Sequence, residues 1–318
     1  MEQENKRKPL FAPKERPDLL PEDTTPNLSF FFKLLGRKAG KLLSLNLLMI
    51  FQALPILVAV LVYIFGPKIP TVESPLYAPL LGAQTAGGSP IAGVLLGLFG
   101  RQLEIPVLTT GRLIVILIMV AFLLITWGWQ NVGSVYNLRS MVRGDSCFLW
   151  SDYFYAIRRN LKQGLFFGAL DFICIVTLCY NTYFYFTLSA DFFYGAMYAI
   201  TIAIAVIYLC MRSYIYPMMI TFDLTIWKLL KNGLIFTLLG FKRNLAMLFG
   251  MLLVVAITVA LVIGGLSVGL SFTLILPFFY FLPLIGFIGT YCAYPNIKRY
   301  MIDPYEKKPV PDTYEETL

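Results

Sequence analysis

Six long apolar segments, separated by polar or basic stretches, dominate the pattern of the chain. They cover approximately residues 42–65, 112–136, 164–188, 192–216, 245–264 and 269–291. An α-helix needs about 20 residues to cross a hydrocarbon core of about 30 Å, so each segment is long enough to span a membrane. The pattern predicts an all-α, polytopic integral membrane protein with six transmembrane helices. Kinks are expected where proline lies inside a predicted span, at Pro55, Pro277 and Pro283.

The composition supports this class of protein. Hydrophobic residues make up 58% of the chain and the mean hydropathy is +0.71, which exceeds what a water-soluble domain can bury. The formal net charge of +8 would suit nucleic acid, but the basic residues lie beside apolar runs and form no separate basic domain. We therefore expect the anionic inner leaflet of the membrane, and no nucleic acid, as the partner of these charges.

Both ends of the chain predict tails outside the membrane. Residues 1–27 are charged and proline-rich, with too few large apolar side chains to offset the entropy of ordering, and predict a disordered cytosolic tail. They also lack the apolar stretch of a cleaved signal peptide, so we expect insertion through the first span. Residues 301–318 predict a second cytosolic tail.

A basic segment, residues 28–41, precedes the first span. Lys33, Arg37 and Lys41 recur in it at intervals of four residues, while its larger apolar side chains fall mostly elsewhere. This spacing predicts an amphipathic helix along the inner membrane interface. The alternative is a basic lead-in to the first span.

The distribution of lysine and arginine predicts the orientation. Basic residues are concentrated after spans two, four and six, whereas the turns near Ser189 and Ser267 contain none. Positively charged loops stay in the cytosol during insertion, so both termini are predicted to be cytosolic. Residues 66–111 then form the large outer loop. Its apolar stretch PIAGVLLGLFG is too short to span and predicts either a re-entrant or interfacial element or a flexible loop against the bundle.

Two cytosolic segments, near residues 145–163 and 223–243, carry aromatic and basic side chains at helical spacing. Each predicts a short amphipathic helix ahead of the next span. The stretches WSDYFYAIRRNLKQGLFF and WKLLKNGLIF indicate either a weak internal duplication or a chance similarity of two basic helices.

The sequence excludes several kinds of chemistry. It contains no histidine, which removes histidine metal sites and the commonest general base. It has no GxxxxGK[ST] phosphate-binding loop. The five cysteines show no metal-ligand spacing and are interpreted as reduced packing residues. We therefore predict no enzymatic activity, no cofactor and no metal.

Three stretches resemble the YesL-like bacterial membrane proteins, known as domain of unknown function 624. They are SLNLLMIFQALPILV, NLRSMVRGD and WSDYFYAIRRNLKQG, and the resemblance covers about residues 28–300. The chain departs from that family in its longer first outer loop and proline-rich amino tail. The resemblance implies a Gram-positive bacterial membrane protein, often encoded beside carbohydrate ABC-importer genes, whose molecular activity is not established.

The residues that the resemblance carries over lie around the first cytosolic helix. They are Arg139, Arg143, Asp152, Asn160, Lys162 and Gln163. Their alternative role is structural: to cap helices, bind lipid phosphates and orient the hairpin.

The favoured functional hypothesis is an accessory protein that docks on a carbohydrate importer or another membrane complex through the two basic cytosolic helices. Arg158, Arg159 and Asn232 are the further contact candidates on these helices. The alternative is a small secondary transporter with a site between kinked spans, for which an inverted repeat is expected. The two similar motifs lie on the same side of the membrane, which argues against that alternative.

Asp171 is the one acidic residue well inside a predicted span. In an antiparallel hairpin of spans three and four, the position facing it lies near Leu209 or Cys210, and Arg212 is within one turn. The sequence therefore predicts an ion pair between Asp171 and Arg212, which would keep the acid charged within the bilayer. Alternatively, Asp171 faces a water-filled vestibule or caps polar groups while Arg212 extends to the surface.

Overall fold

The structure is a computed structural model that describes residues 26–70, 76–99 and 104–305. Of the two predicted tails, 1–27 and 301–318, residues 1–25 and 306–318 lie outside the described residues. Short parts of the outer loop, residues 71–75 and 100–103, lie outside them as well.

The described residues are overwhelmingly helical. The α-helices are α1 (Leu28–Phe65), α2 (Tyr77–Gly87), α3 (Pro90–Phe99), α4 (Thr110–Arg143), α5 (Leu149–Arg159), α6 (Leu161–Thr187), α7 (Phe192–Thr221), α8 (Ile226–Leu239), α9 (Phe241–Ser267) and α10 (Pro277–Ile297). A 3-10 turn, Ser271–Leu274, precedes α10, and a π-helical turn, Lys298–Ile302, follows it.

Five helical stretches of the described chain are long and apolar enough to cross a membrane. They are α4, α6, α7, α9 and the stretch Ser271–Ile302 that contains α10. The bent helix α1 is the sixth if its two arms form one span. The protein is thus an all-α, multi-pass membrane protein, which confirms the predicted fold class.

The bend in α1 has an identifiable cause. The arms Leu28–Phe51 and Ala53–Phe65 meet at 48°. Pro55 has no N–H to donate to the carbonyl of Phe51, four residues earlier, and its ring collides with that carbonyl. The kink expected from Pro55 is therefore present one turn before the proline. Residues 28–41 are continuous with the rest of α1, and their apolar face packs inside the protein, with Leu34 buried and Phe31 and Leu35 partly buried.

Pro277 lies within the spanning stretch Ser271–Ile302, as the sequence predicts, but it does not kink a continuous α-helix. It begins α10, where proline is tolerated because the first N–H groups of a helix need no intrahelical partner. The preceding residues form the 3-10 turn, after Gly269 in the left-handed conformation at φ 83°.

The outer loop contains structure that the sequence did not predict. Strands β1 (Lys68–Pro70) and β2 (Glu104–Pro106) pair antiparallel, with Ile69 opposite Ile105. The apolar stretch of the loop is the helix α3, which packs against α2 and α9.

Arg112 joins this outer end to the bundle. Its buried guanidinium donates to the carbonyl oxygens of Val62 at 3.0 Å, Tyr63 at 2.6 Å and Pro67 at 2.8 Å, and also to that of Val107. The carbonyls at the end of α1 lack intrahelical donors, and Arg112 supplies them. A side chain on Gly66 would overlap the guanidinium and displace it from these carbonyl groups.

Helix α4 occupies the centre of the bundle, with α1, α5, α6, α7 and α10 packed around it. The carboxyl-terminal half of α4 is the more buried half and carries polar residues as well as apolar ones. Polar groups on this half can therefore meet partners from several helices at once.

Candidate functional site

Three glycines allow α4 and α6 to approach closely. Gly128 of α4 faces Gly164 and Gly168, which lie one turn apart on α6. A Cβ atom on Gly128 would lie only 2.7 Å from the Cα of Gly168 and 2.8 Å from the carbonyl carbon of Gly164. Small residues at such spacing let two membrane helices pack backbone to backbone. This contact places Trp127, which precedes Gly128 in α4, next to the turn of α6 that follows Gly168.

Asp171 lies on that following turn and is fully buried. Its Oδ1 accepts hydrogen bonds from the hydroxyl of Tyr208 at 2.7 Å and from Nε of Arg212 at 3.1 Å. Its Oδ2 accepts from Nε1 of Trp127 at 2.8 Å, the hydroxyl of Tyr216 at 2.7 Å and Nε of Arg212 at 2.9 Å. Four donor side chains from two neighbouring helices thus compensate one buried carboxylate.

Arg212 extends the same network towards α4. Its terminal nitrogen Nη2 donates to Oδ1 of Asn131 at 2.6 Å, and Nδ2 of Asn131 donates to the carbonyl of Trp127 at 2.7 Å. The guanidinium carbon also lies 5.1 Å from the centre of the Tyr216 ring. The charge of Arg212 is therefore held by a carboxylate, an amide and an aromatic face.

The predicted ion pair between Asp171 and Arg212 is confirmed, and the alternative with Arg212 extended to the surface is wrong. Sequence reasoning missed the other members of the network: Trp127, Asn131, Tyr208 and Tyr216. A signal was present, because residues 208, 212 and 216 share one face of α7 and residues 127 and 131 share one face of α4. We call these six residues the Asp171 network; it joins α4, α6 and α7.

A second buried cluster lies nearer the predicted cytosolic side. The hydroxyl of Tyr214 donates to Oδ1 of Asn244 at 2.7 Å and accepts from Nδ2 of Asn296 at 2.9 Å. The Nδ2 of Asn244 donates to the carbonyl of Thr237 at 2.7 Å. This cluster joins α7, α8, α9 and α10, and the sequence analysis did not identify it.

Arg139 of α4 is buried against the carboxyl end of α7. It donates to Oγ1 of Thr221 at 2.6 Å, and its guanidinium carbon lies 4.9 Å from the centre of the Tyr136 ring. A cation is favourable at the carboxyl end of a helix, where the carbonyl groups concentrate partial negative charge. Arg139 therefore stabilises the end of α7.

Three other residues of the resemblance make local structural contacts. Asp152 accepts from the backbone N–H of Phe148 at 2.7 Å and closes the start of α5. Nδ2 of Asn160 donates to the carbonyl of Ala156 at 2.9 Å at the end of the same helix. Nε2 of Gln163 donates to the carbonyl of Leu224 at 2.5 Å and joins the start of α6 to the segment before α8. These contacts agree with the alternative in which the residues of the resemblance cap helices and orient the hairpin.

The remaining candidates lie on the surface. Arg143 is exposed and forms an ion pair with Asp145 at 3.2 Å. Arg158, Arg159 and Lys162 are exposed around the junction of α5 and α6, while Asn232 is half-buried on α8.

The two similar motifs occupy different places in the fold. The stretch LKQG opens α6, so that Gly164 lies in the first turn of a membrane-spanning helix. The stretch LKNG lies inside α8, and α9 begins only after Gly240. The structural positions of the motifs therefore do not support a duplicated unit at this point.

All five cysteines are free thiols; Cys147 and Cys210 are buried, as the prediction of packing residues requires, whereas Cys179 is exposed. Cys147, outside the spans, is buried, and its Sγ donates to Oδ1 of Asn137 at 3.2 Å. Burial raises the pKa of this thiol and favours the neutral form. Burial likewise raises the pKa of Tyr153, on α5, to about 12. Among the described residues, no group of three His, Cys, Asp or Glu side chains is placed to hold a metal ion.

Comparison with protein-family models, with curated proteins and with solved structures gave no significant match to this chain. The geometry of its own residues therefore carries the functional argument.

Proposed function

We propose that the chain is a non-catalytic accessory protein of a bacterial cell membrane, which docks on a larger membrane complex through its cytosolic helices α5 and α8. A carbohydrate ABC importer is the partner class that the resemblance to YesL-like proteins suggests. The YesL-like assignment and the Gram-positive source are part of the same proposal.

The exposed face of α5 is the observation that carries the proposal. Tyr153 and Ala156 are buried against the bundle, whereas Trp150 and Tyr155 are 59% and 52% exposed. On α8, Trp227 is 76% exposed. Aromatic side chains combined with arginine are enriched in the centres of protein interfaces.

Helix α5 is held in place by contacts with α4. Nδ2 of Asn137 donates to the carbonyl of Leu149 at 3.1 Å, and Gly133 leaves room for the ring of Tyr153 against α4. A surface that is already ordered loses less conformational entropy when a partner binds. Arg158 and Arg159 extend from the last turn of this ordered helix.

The Asp171 network argues against a transport site at the buried carboxylate. Both oxygens of Asp171 already accept hydrogen bonds from protein side chains. A transported ion would have to replace these donors, whose loss leaves polar groups unpaired in a low-dielectric region. The arrangement supports a role in holding helices together.

Co-purification from native membranes tests the proposal. We expect wild-type protein to retain importer subunits, identified by mass spectrometry, and the charge reversal R158E/R159E to lose most of them. The matched control is K33E/R299E, which reverses two exposed basic residues outside both cytosolic segments on the same predicted side. Equal retention by both variants, or retention of no membrane complex by the wild type, would contradict docking through α5.

A further inference from the structure

A cavity of about 790 Å³ opens between the amino-terminal part of α1, the carboxyl end of α4 and the end of α10. Basic side chains from all three elements line it, together with one acidic side chain. The charged residues are Arg37, Lys38, Lys41, Arg143, Lys298 and Asp145. We call this cavity the basic cavity; it does not include the α5 and α8 surface, so its function is independent of docking there.

The balance of charge in the basic cavity favours an anion. Among the residues that the structure describes, five cations share the lining with one carboxylate, that of Asp145, which pairs with Arg143 at 3.2 Å. Cations crowded around one space repel one another, and a bound anion relieves that repulsion. Lysine and arginine are also the side chains that bind phosphate oxygens in proteins.

The rest of the lining is apolar or aromatic. Phe30, Leu34, Val142 and Tyr291 contribute to it. The hydroxyl of Tyr291 donates to the carbonyl of Asn27 at 2.8 Å, and the ring of Phe31 packs edge-on against that of Tyr291 at 5.1 Å between centroids. The amino-terminal wall of the cavity is therefore attached to α10. A lining with a basic part and an apolar part suits a ligand that is itself amphiphilic.

The position of the basic cavity, at the ends of apolar segments, agrees with an amphiphilic ligand. Lys41 lies directly before the apolar run that begins at Leu42, and Arg143 and Lys298 follow the apolar parts of α4 and α10. Basic residues at such boundaries lie at the level of the phosphates of the inner leaflet.

We infer that the basic cavity is a binding site for the phosphate group of an anionic glycerophosphate, carried either by a phospholipid headgroup or by a soluble molecule. Phosphatidylglycerol is the lipid probe and glycerol 3-phosphate the soluble probe. The volume of the cavity lies within the range of small-molecule sites, about 300–1,000 Å³.

The test compares the full-length wild type with the variant R37Q/K38Q/K298Q. Its control is K228Q/K231Q/K242Q, which removes three exposed charges on α8 and α9. Native mass spectrometry after titration with phosphatidylglycerol or phosphatidylcholine measures lipid binding, and calorimetry measures binding of glycerol 3-phosphate. Thermal unfolding confirms that each variant is folded; if the triple variant is not, K298Q alone is titrated.

We expect the wild type and the control to prefer phosphatidylglycerol over phosphatidylcholine. The cavity variant should lose affinity for phosphatidylglycerol by at least about tenfold, because three of the cations that attract the anionic headgroup are removed. Glycerol 3-phosphate binding that the variant also loses would identify a soluble ligand, and binding of the lipid alone would identify a lipid site. Equal losses in the two triple variants, or no preference for the anionic lipid, would overturn the inference.

Discussion

The Nε atom of Arg212 lies 2.9 Å from Oδ2 of Asp171, across the hairpin of α6 and α7. The carboxylate is fully buried, while the Arg212 side chain remains 25% exposed. The carboxylate also accepts a hydrogen bond from Nε1 of Trp127 on α4, so one buried charge organises three helices. Such a charge is tolerated in a low-dielectric interior only when its partners are in place.

Removal of either partner should therefore destabilise the protein strongly. We expect Asp171→Asn or Arg212→Gln to cost about 3–5 kcal/mol, because each leaves a buried charge or donor without compensation. The double variant should be more stable than the sum of the single losses predicts, by at least ~0.5 kcal/mol. Equilibrium unfolding in detergent or bicelles measures these values.

Asp145→Asn is the control for this comparison of the single and double variants at Asp171 and Arg212. It breaks the ion pair with Arg143, in which both side chains are about 45% exposed. Exposed pairs contribute about 0–1 kcal/mol, so the change in unfolding free energy should stay within that range. Additive effects at Asp171 and Arg212 would contradict a coupled pair.

A single hydroxyl of the Asp171 network can be tested separately. Tyr216→Phe removes the buried donor at 2.7 Å from Oδ2 and should cost about 1.5–3 kcal/mol, the usual value for a hydrogen bond to a charged group. Tyr183→Phe, at an exposed position, should change stability by less than about 0.5 kcal/mol. Equal effects of the two substitutions would show that the Tyr216 hydroxyl contributes nothing specific.

The contact between α4 and α6 should be sensitive to one methyl group. Gly168→Ala would place a Cβ against the backbone of Gly128, which cannot move as a side-chain end can, so the helices must separate. We expect a loss of about 1–3 kcal/mol from overpacking, measured as a lower unfolding midpoint. Gly264→Ala is the control, because nothing lies within 4 Å of the added Cβ. A Gly168→Ala protein as stable as this control would rule out the close helix contact.

The membrane spans and the ion pair could be predicted because they depend on local pattern. Apolar length locates α6 and α7, and the symmetry of a short hairpin places Arg212 near Asp171. Trp127 and Asn131 could not be assigned in the same way, since α4 is not adjacent to α7 in the chain. Which helix packs third against a hairpin depends on tertiary contacts such as that between Gly128 and Gly168.

The role of Arg112 could not be predicted from the sequence for a different reason. In the sequence it is a basic residue at the start of a span, whereas in the fold it donates to the carbonyls that end α1. Two further acceptors of Arg112, the carbonyls of Pro67 and Val107, adjoin the paired strands β1 and β2, which are three residues long and carry no alternating pattern. Short strands of this kind give too weak a signal to be predicted from sequence.

The thiol of Cys147 should react slowly with alkylating reagents. Its burial raises the pKa, so a smaller fraction is the reactive thiolate at a given pH, and the rate should rise only at a higher pH than for an ordinary cysteine. A cysteine introduced at the neighbouring exposed Ser146 provides the reference. Iodoacetamide labelling followed by mass spectrometry from pH 6 to pH 10 gives both profiles. Coincident profiles would contradict the burial of Cys147.

The orientation stays a prediction, which cysteine accessibility in sealed vesicles tests. A membrane-impermeant maleimide added outside should label a cysteine introduced at Thr85, on the outer helix α2, and should not label one at Ser146 or Lys231. The reverse pattern would show that α5 and α8 are external and could not meet a cytosolic partner.

The most direct test of the proposed function is photo-cross-linking in native membranes with a photoreactive amino acid in place of Trp150. This position is 59% exposed on α5, and Phe249, which is 66% exposed on the membrane-spanning α9, is the matched control position. We expect the probe at position 150 to cross-link to a subunit of a carbohydrate importer or of another defined membrane complex, and the probe at position 249 to cross-link mainly to lipid. Cross-linking to lipid alone at both positions would contradict an accessory protein that docks through its cytosolic helices.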